Sequence, residues 1–138
     1  MINSRKLEDL HPKVKVLAEK FIQECDKVGI DVLIYSTYRD AESQNALYAQ
    51  GRTKPGKIVT NARAGQSFHN WRCAFDFVPV LDGKARWDDK DAYRKCGIIA
   101  ESIGLEWAGR WTGNLKETAH CQFTNGLSLQ DLQKGKTL

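Results

Sequence analysis

The chain has 138 residues, 41% of them hydrophobic, with 21 Lys and Arg against 17 Asp and Glu for a net charge of +4. That length suits one domain, residues 1–138, able to fold without disulfides. The mild positive charge favours contact with anionic polymers. Without a run of five or more basic residues it excludes the footprint of a nucleic-acid protein, and no apolar stretch is long enough to span a membrane.

Taken in order, the N-terminus Met-Ile-Asn-Ser-Arg-Lys lacks the apolar core of a signal peptide, so synthesis in a cytoplasm is expected. Leu10, Val14, Leu17, Phe21, Cys25 and Val28 recur at steps of three and four, which describes one face of a helix starting near Pro12 and ending at Gly29. Lys13, Lys15, Lys20 and Lys27 form its solvated side, and His11 reads as a surface or capping residue. Residues 30–35 are β-branched and aromatic, the pattern of a buried strand. Asp40 caps a second helix, which carries Gln44, Leu47 and Tyr48 and stops at Gly51. Residues 53–65 form a long surface loop, a length that is often functional, and it delivers the chain into residues 67–76.

In that stretch residues 75–78 read as a short strand bounded by Pro79. Alternation sends Ala74, Asp76 and Val78 to one face, and Cys73, Phe75 and Phe77 to the other. A carboxylate on an apolar strand is costly unless it is paired or holds a metal. His69, seven residues upstream, can supply a second ligand.

Asp82-Gly83 marks a hairpin turn. Asp88 or Asp89 caps a third helix with the face Ala92, Cys96, Ile99 and Ile103, ending at Gly104. Trp107 and Trp111 follow, at least one of them expected in the core, and then turn residues at Gly113 and Asn114. A short strand would place His120 and Gln122 on one face and Cys121 and Phe123 on the other. Residues 127–132 form a short amphipathic segment. The cysteines at 25, 73, 96 and 121 form no CxxC pair and read as reduced, buried residues; alternation points Cys73 and Cys121 away from Asp76 and His120.

Of three histidines in the chain, two combine with Asp76 and with Glu117, three residues before His120. Two histidines, an aspartate and an unattached glutamate are what a catalytic zinc site requires: three ligands, an open position and a base.

These residues resemble the VanY-like zinc peptidases, a family of D-Ala-D-Ala carboxypeptidases and dipeptidases and of the L-alanyl-D-glutamate endopeptidases of phage endolysins. The family motif Ser-x-His-x-x-Gly-x-Ala-x-Asp is met by Ser67, His69, Ala74 and Asp76, and its second motif by Glu117 and His120. Tyr38-Arg39, Gln44, Leu47-Tyr48 and Gly51-Arg52 are similar to the family's Arg-containing segment, and Gly104-Leu105-Glu106-Trp107 with Trp111 to its endolysin branch. The resemblance implies an α+β fold in which a small, mainly antiparallel sheet carries a zinc site and packs against helices. It implies His69, Asp76 and His120 as zinc ligands, Glu117 as the base and Arg39 as a substrate or transition-state contact. Ser67 orients substrate or a ligand, or makes a turn hydrogen bond.

Two positions depart from the family pattern. Ala108 replaces a usual glycine, and Arg72 occupies the motif glycine. If that glycine serves a turn with φ > 0, arginine costs about 1 kcal/mol there; if it serves only space, Arg72 points outward. Arg72 is read either as a contact to a substrate carboxylate or as a solvent-facing turn residue.

The function expected is a zinc-dependent L-alanyl-D-glutamate endopeptidase of the phage-endolysin type. It would be monomeric, made in the host cytoplasm, and active on the stem peptides of bacterial peptidoglycan after release. The alternatives are a D-Ala-D-Ala carboxypeptidase of the same fold, or a non-catalytic wall-binding module with structural zinc. Glu117 speaks against the last, since a structural site has no use for an unligated acid beside an open position.

Overall fold

The computed structural model describes residues 1–111 and 117–138. The expected turn at Gly113 and Asn114 lies outside the described residues. Helix α1 spans Pro12–Lys27, with Pro at its first position, and the His11 side chain caps it by accepting from the Lys13 N–H. Strand β1 is Asp31–Ser36. Helix α2, Ala41–Ala49, starts where the Asp40 carboxylate accepts from the Ser43 N–H at 2.8 Å. A 3₁₀ turn at Phe68–Trp71 leads into β2, Ala74–Leu81, which pairs with the short β3, Lys84–Ala85. Asp82 and Gly83 join them with φ of 53° and 73°, the left-handed pair that a two-residue hairpin demands. Helix α3 is Lys90–Ser102, β4 is Glu106–Trp107, β5 is His120–Gln122 and α4 is Leu129–Gln133.

The strands form one antiparallel sheet in the order β1-β2-β5-β4, with β3 added to β2. This is the expected α+β architecture. One face is covered by α1 and α3. Phe21 of α1 lies 5.6 Å from Phe75 and 5.0 Å from Phe77 between ring centroids, and Tyr93 of α3 lies 5.5 Å from Phe77. Burying side chains of this size contributes about 1.5–3 kcal/mol each. All four cysteines are free and buried.

Three expectations shift. Pro79 does not end its strand, because only its missing N–H is lost to the ladder; its carbonyl accepts from Arg86 N–H at 2.8 Å and β2 continues to Leu81. Val28 caps α1 and is 62% exposed instead of joining the core. Ala92 and Cys96 of α3 are buried as expected, but the face is turned toward Tyr93, Gly97 and Ala100, with Ile99 and Ile103 at its margin. Gly97 explains the turn: a Cβ there would lie 2.1 Å from the Trp107 ring, so the indole packs flat on bare helix backbone.

Candidate metal centre

The register places the site. Asp76 of β2 pairs with His120 of β5, so both side chains share the face opposite Phe75 and Cys121. His69 reaches the same point from the 3₁₀ turn. That turn is held by Ser67, whose hydroxyl accepts from the His69 N–H, and by Asn70, whose side chain returns to the Ser67 N–H. Ser67 thus makes a turn hydrogen bond and also lines the cleft.

Asp76 Oδ1 lies 3.2 Å from His69 Nε2 and 3.3 Å from His120 Nδ1, and one donor atom from each of the three residues falls within 4.8 Å of the others. An ion with bonds of 2.0–2.1 Å in tetrahedral geometry sets its ligands about 3.3 Å apart, so this donor set fits zinc. The remaining ring nitrogens point outward to acceptors: His69 Nδ1 to the Thr37 carbonyl at 2.8 Å and His120 Nε2 to Gln122 Oε1 at 2.7 Å. Each imidazole can thus keep a hydrogen on its outward nitrogen and offer the inward one, His69 Nε2 or His120 Nδ1, to an ion held with Asp76.

Burial by itself raises the Asp76 carboxyl pKa, yet the His69 and His120 rings outweigh it and hold the group well below the usual carboxylate range. Burial likewise disfavours the His120 cation, but its hydrogen bond to Asp76 and the charge there leave its pKa raised. Glu117 stands beside the centre, with Oε2 3.6 Å from His120 Nδ1 and a side chain that is 61% exposed.

A cleft of about 440 Å³ opens on this centre, walled by Leu47, Val59, Thr60, Trp111 and Leu129. Trp111 lies 5.8 Å from the His120 ring, whereas Trp107 is the core tryptophan and donates its indole N–H to the Thr118 carbonyl at 2.8 Å. Arg39 also lines the cleft. Its guanidinium donates to Gln44 Oε1 at 2.9 Å and to Ser36 Oγ at 3.3 Å, and its buried Nε has no hydrogen-bond partner among the described residues. Burial lowers the Arg39 pKa while Asp76 and Glu117 pull it upward.

Arg72 is the expected site residue that the structure does not bring to the cleft. Its backbone is left-handed, φ 62° and ψ 24°, so the motif glycine serves a positive-φ turn. The guanidinium lies 3.8 Å from the Tyr38 ring centroid and donates to the Asp9 carbonyl at 2.8 Å. Cys73 and Cys121 face away from the donor cluster, as alternation requires.

Sequence reasoning missed the supports. Gln44 is fully buried, accepts from Arg39 and donates to the Ala62 carbonyl, which ties the long loop to the cleft. Asn70 holds the Arg39 carbonyl at 2.9 Å. Asn70, within the motif, was the more accessible of the two, as an amide three residues after a capping serine.

Comparison with known proteins gives concordant results. The sequence profile of the VanY family, described as D-alanyl-D-alanine carboxypeptidase, matches residues 7–124. Peptidoglycan L-alanyl-D-glutamate endopeptidase CwlK of Bacillus subtilis (strain 168) is 41% identical over 124 residues, covering 83% of this chain and 74% of that protein. The L-alanyl-D-glutamate peptidase of Listeria phage A118 is 31% identical over 125 residues, covering 89% of this chain but only 40% of the phage protein. Among solved structures, the Serratia marcescens L-Ala D-Glu endopeptidase ChiX superposes with a TM-score of 0.66 at 18% identity, over 86% of this chain and 83% of its own. A mutant of the vancomycin-resistance D,D-pentapeptidase VanY in complex with Zn(II) gives 0.62 at 15% identity, over 91% and 76%. Both structures share the fold of this chain.

Proposed function

The chain belongs to the VanY family, and we propose that it is a zinc-dependent peptidase that cuts peptidoglycan stem peptides between L-alanine and D-glutamate. The observation that carries the chemistry is the convergence of one donor atom each from His69, Asp76 and His120 to within 4.8 Å of one another, with the exposed Glu117 carboxylate beside them. The choice of bond is supported by the 41% identity to an L-alanyl-D-glutamate endopeptidase.

When bound, zinc supplies a Lewis acid for the scissile carbonyl and lowers the pKa of water to about 7. The chain's own residues do the rest. Glu117 accepts a proton from the attacking water and passes it to the leaving amine of D-glutamate, a role open to it because its carboxylate is exposed to the cleft. Arg39 presents a buried, partly unsatisfied guanidinium, suited to the oxyanion or to a substrate carboxylate. Ser67 and Asn70 hold the turn that aims His69. Trp111 and Leu129 give the cleft apolar walls for peptide side chains.

The second reading, removal of the terminal D-alanine, is favoured by the description of the family. Identification of the new chain ends after digestion of purified peptidoglycan separates the two. Action at the cell wall during phage release extends the first reading and is supported by the Listeria phage relative.

A further inference from the structure

His120 and His69 use opposite ring nitrogens toward Asp76, and the device that selects the nitrogen differs. For His69 it is a backbone carbonyl, which can only accept. For His120 it is the side chain of Gln122, an amide whose two ends have opposite polarity and which can turn either of them to the ring. Something must hold that amide in one orientation. The register provides it: Gln122 of β5 pairs with Glu106 of β4 on the same face of the sheet, and Gln122 Nε2 lies 2.6 Å from Glu106 Oε2. A carboxylate accepts only, so the amide must present N–H to Glu106 and its carbonyl to the histidine. The ring then donates Nε2–H to the amide carbonyl, which leaves Nδ1, 3.3 Å from Asp76 Oδ1, to serve the metal position.

We propose that Gln122 and Glu106 are positioning residues for the metal centre, a polar chain that fixes the His120 ring and tautomer for coordination through Nδ1. Gln122 is buried with 3% exposure, so its amide has little access to water as an alternative partner. Its hydrogen bonds to the ring and to Glu106 account for its burial on the cleft face. Glu106 lies on the exposed edge strand and does not line the cleft, so its action runs through Gln122 and not through substrate.

This inference rests on His120 being a metal ligand, and not on which bond is cut. The test is therefore zinc affinity, measured by competition with a chromophoric chelator, together with ¹⁵N spectra of the histidine rings in the zinc-loaded protein. Gln122→Met keeps the side-chain length without the amide, and Glu106→Gln, at an exposed position, removes the acceptor-only partner. The expected results are a zinc-bound Nδ1 with Nε2–H for His120 in the zinc-loaded wild type and a shifted Nε2–H signal in both variants, as its hydrogen bond to residue 122 is lost or weakened. Zinc affinity should fall by about 10–100-fold in Gln122→Met, the range for groups that orient a ligand, and in the same direction in Glu106→Gln. Coordination of zinc through Nε2 of wild-type His120, or both variants binding zinc as tightly as wild type, would overturn the proposal. His120→Ala serves as the control: if it keeps its zinc, the ligand assignment has failed; if it loses zinc while both positioning variants keep theirs, only the positioning chain has failed.

Discussion

His69 Nδ1 lies 2.8 Å from the carbonyl oxygen of Thr37, and this bond determines which nitrogen His69 offers to the metal centre. Thr37 is itself fixed from the N-terminal segment. Its N–H donates to the Ser4 carbonyl at 2.8 Å and its hydroxyl to the Lys6 carbonyl at 2.9 Å. Thr37→Val removes the hydroxyl donor, so a stability loss of about 1 kcal/mol is expected. Zinc affinity should change little, because the backbone carbonyl remains. A large loss of zinc in a variant with wild-type melting would show that the hydroxyl, and not the carbonyl, orients His69.

Glu117 is expected to act without holding the ion. Glu117→Gln keeps the size and removes the proton acceptor, so kcat should fall by about 100–10,000-fold. Zinc stoichiometry and Tm should stay near wild type. A variant that turns over normally would remove Glu117 from the reaction, and one that loses its zinc would make it a ligand.

Arg39 is expected to act through the planar fork of its guanidinium. Arg39→Lys keeps the charge but not the planar fork that engages Gln44 and Ser36 and whose buried Nε has no partner among the described residues. A fall in kcat/KM of about 100-fold or more at unchanged zinc content is the expected result, by analogy with loss of one transition-state donor. Equal kinetics in the two proteins would reduce Arg39 to a structural group.

Arg72 should be silent in catalysis. Arg72→Gly relieves a left-handed backbone worth about 1 kcal/mol, but gives up a cation–π contact with Tyr38 of about 0.5–1 kcal/mol and the hydrogen bond to the Asp9 carbonyl, also about 0.5–1 kcal/mol. The losses slightly exceed the gain, so Tm should fall a little and KM should not move. A raised KM would bring Arg72 back into the substrate site.

How much of this could be read beforehand depends on how local each relationship is. His69 and Asp76 lie seven residues apart, and Glu117 and His120 lie three apart, so residue types and spacing expose the donor set. Strand alternation placed Gln122 on the face of His120, as β5 shows. It did not reveal Glu106, which meets Gln122 only through the β4–β5 register, sixteen positions away in sequence. The face of α3 is legible only in part for a similar reason: hydrophobic spacing finds the buried Ala92 and Cys96 and the partly buried Ile99 and Ile103, while Gly97 is buried because Trp107 from β4 lies on it. Arg72 turned on a backbone angle that no side-chain pattern encodes. The cleft walls at Val59, Thr60 and Leu129 come from a loop and a short helix that converge only in three dimensions.

The Gly97–Trp107 contact carries its own expectation. Gly97→Ala would drive a methyl group into the indole at 2.1 Å, and overpacking of this kind costs about 1–3 kcal/mol. Because the indole N–H holds the Thr118 carbonyl, beside Glu117, the strain should also reduce activity. A Gly97→Ala protein with wild-type Tm would show that the helix and the ring can separate at no cost.

The most direct test of the central claim is mass-spectrometric identification of the chain ends released from purified peptidoglycan by the zinc-loaded protein. The account predicts new C-terminal L-alanine on the muramyl side and new N-terminal D-glutamate on the released peptide. It also predicts that both disappear on chelation and return when zinc is restored. Free D-alanine as the main product, or an intact stem peptide after incubation with fully zinc-loaded, folded protein, would contradict it.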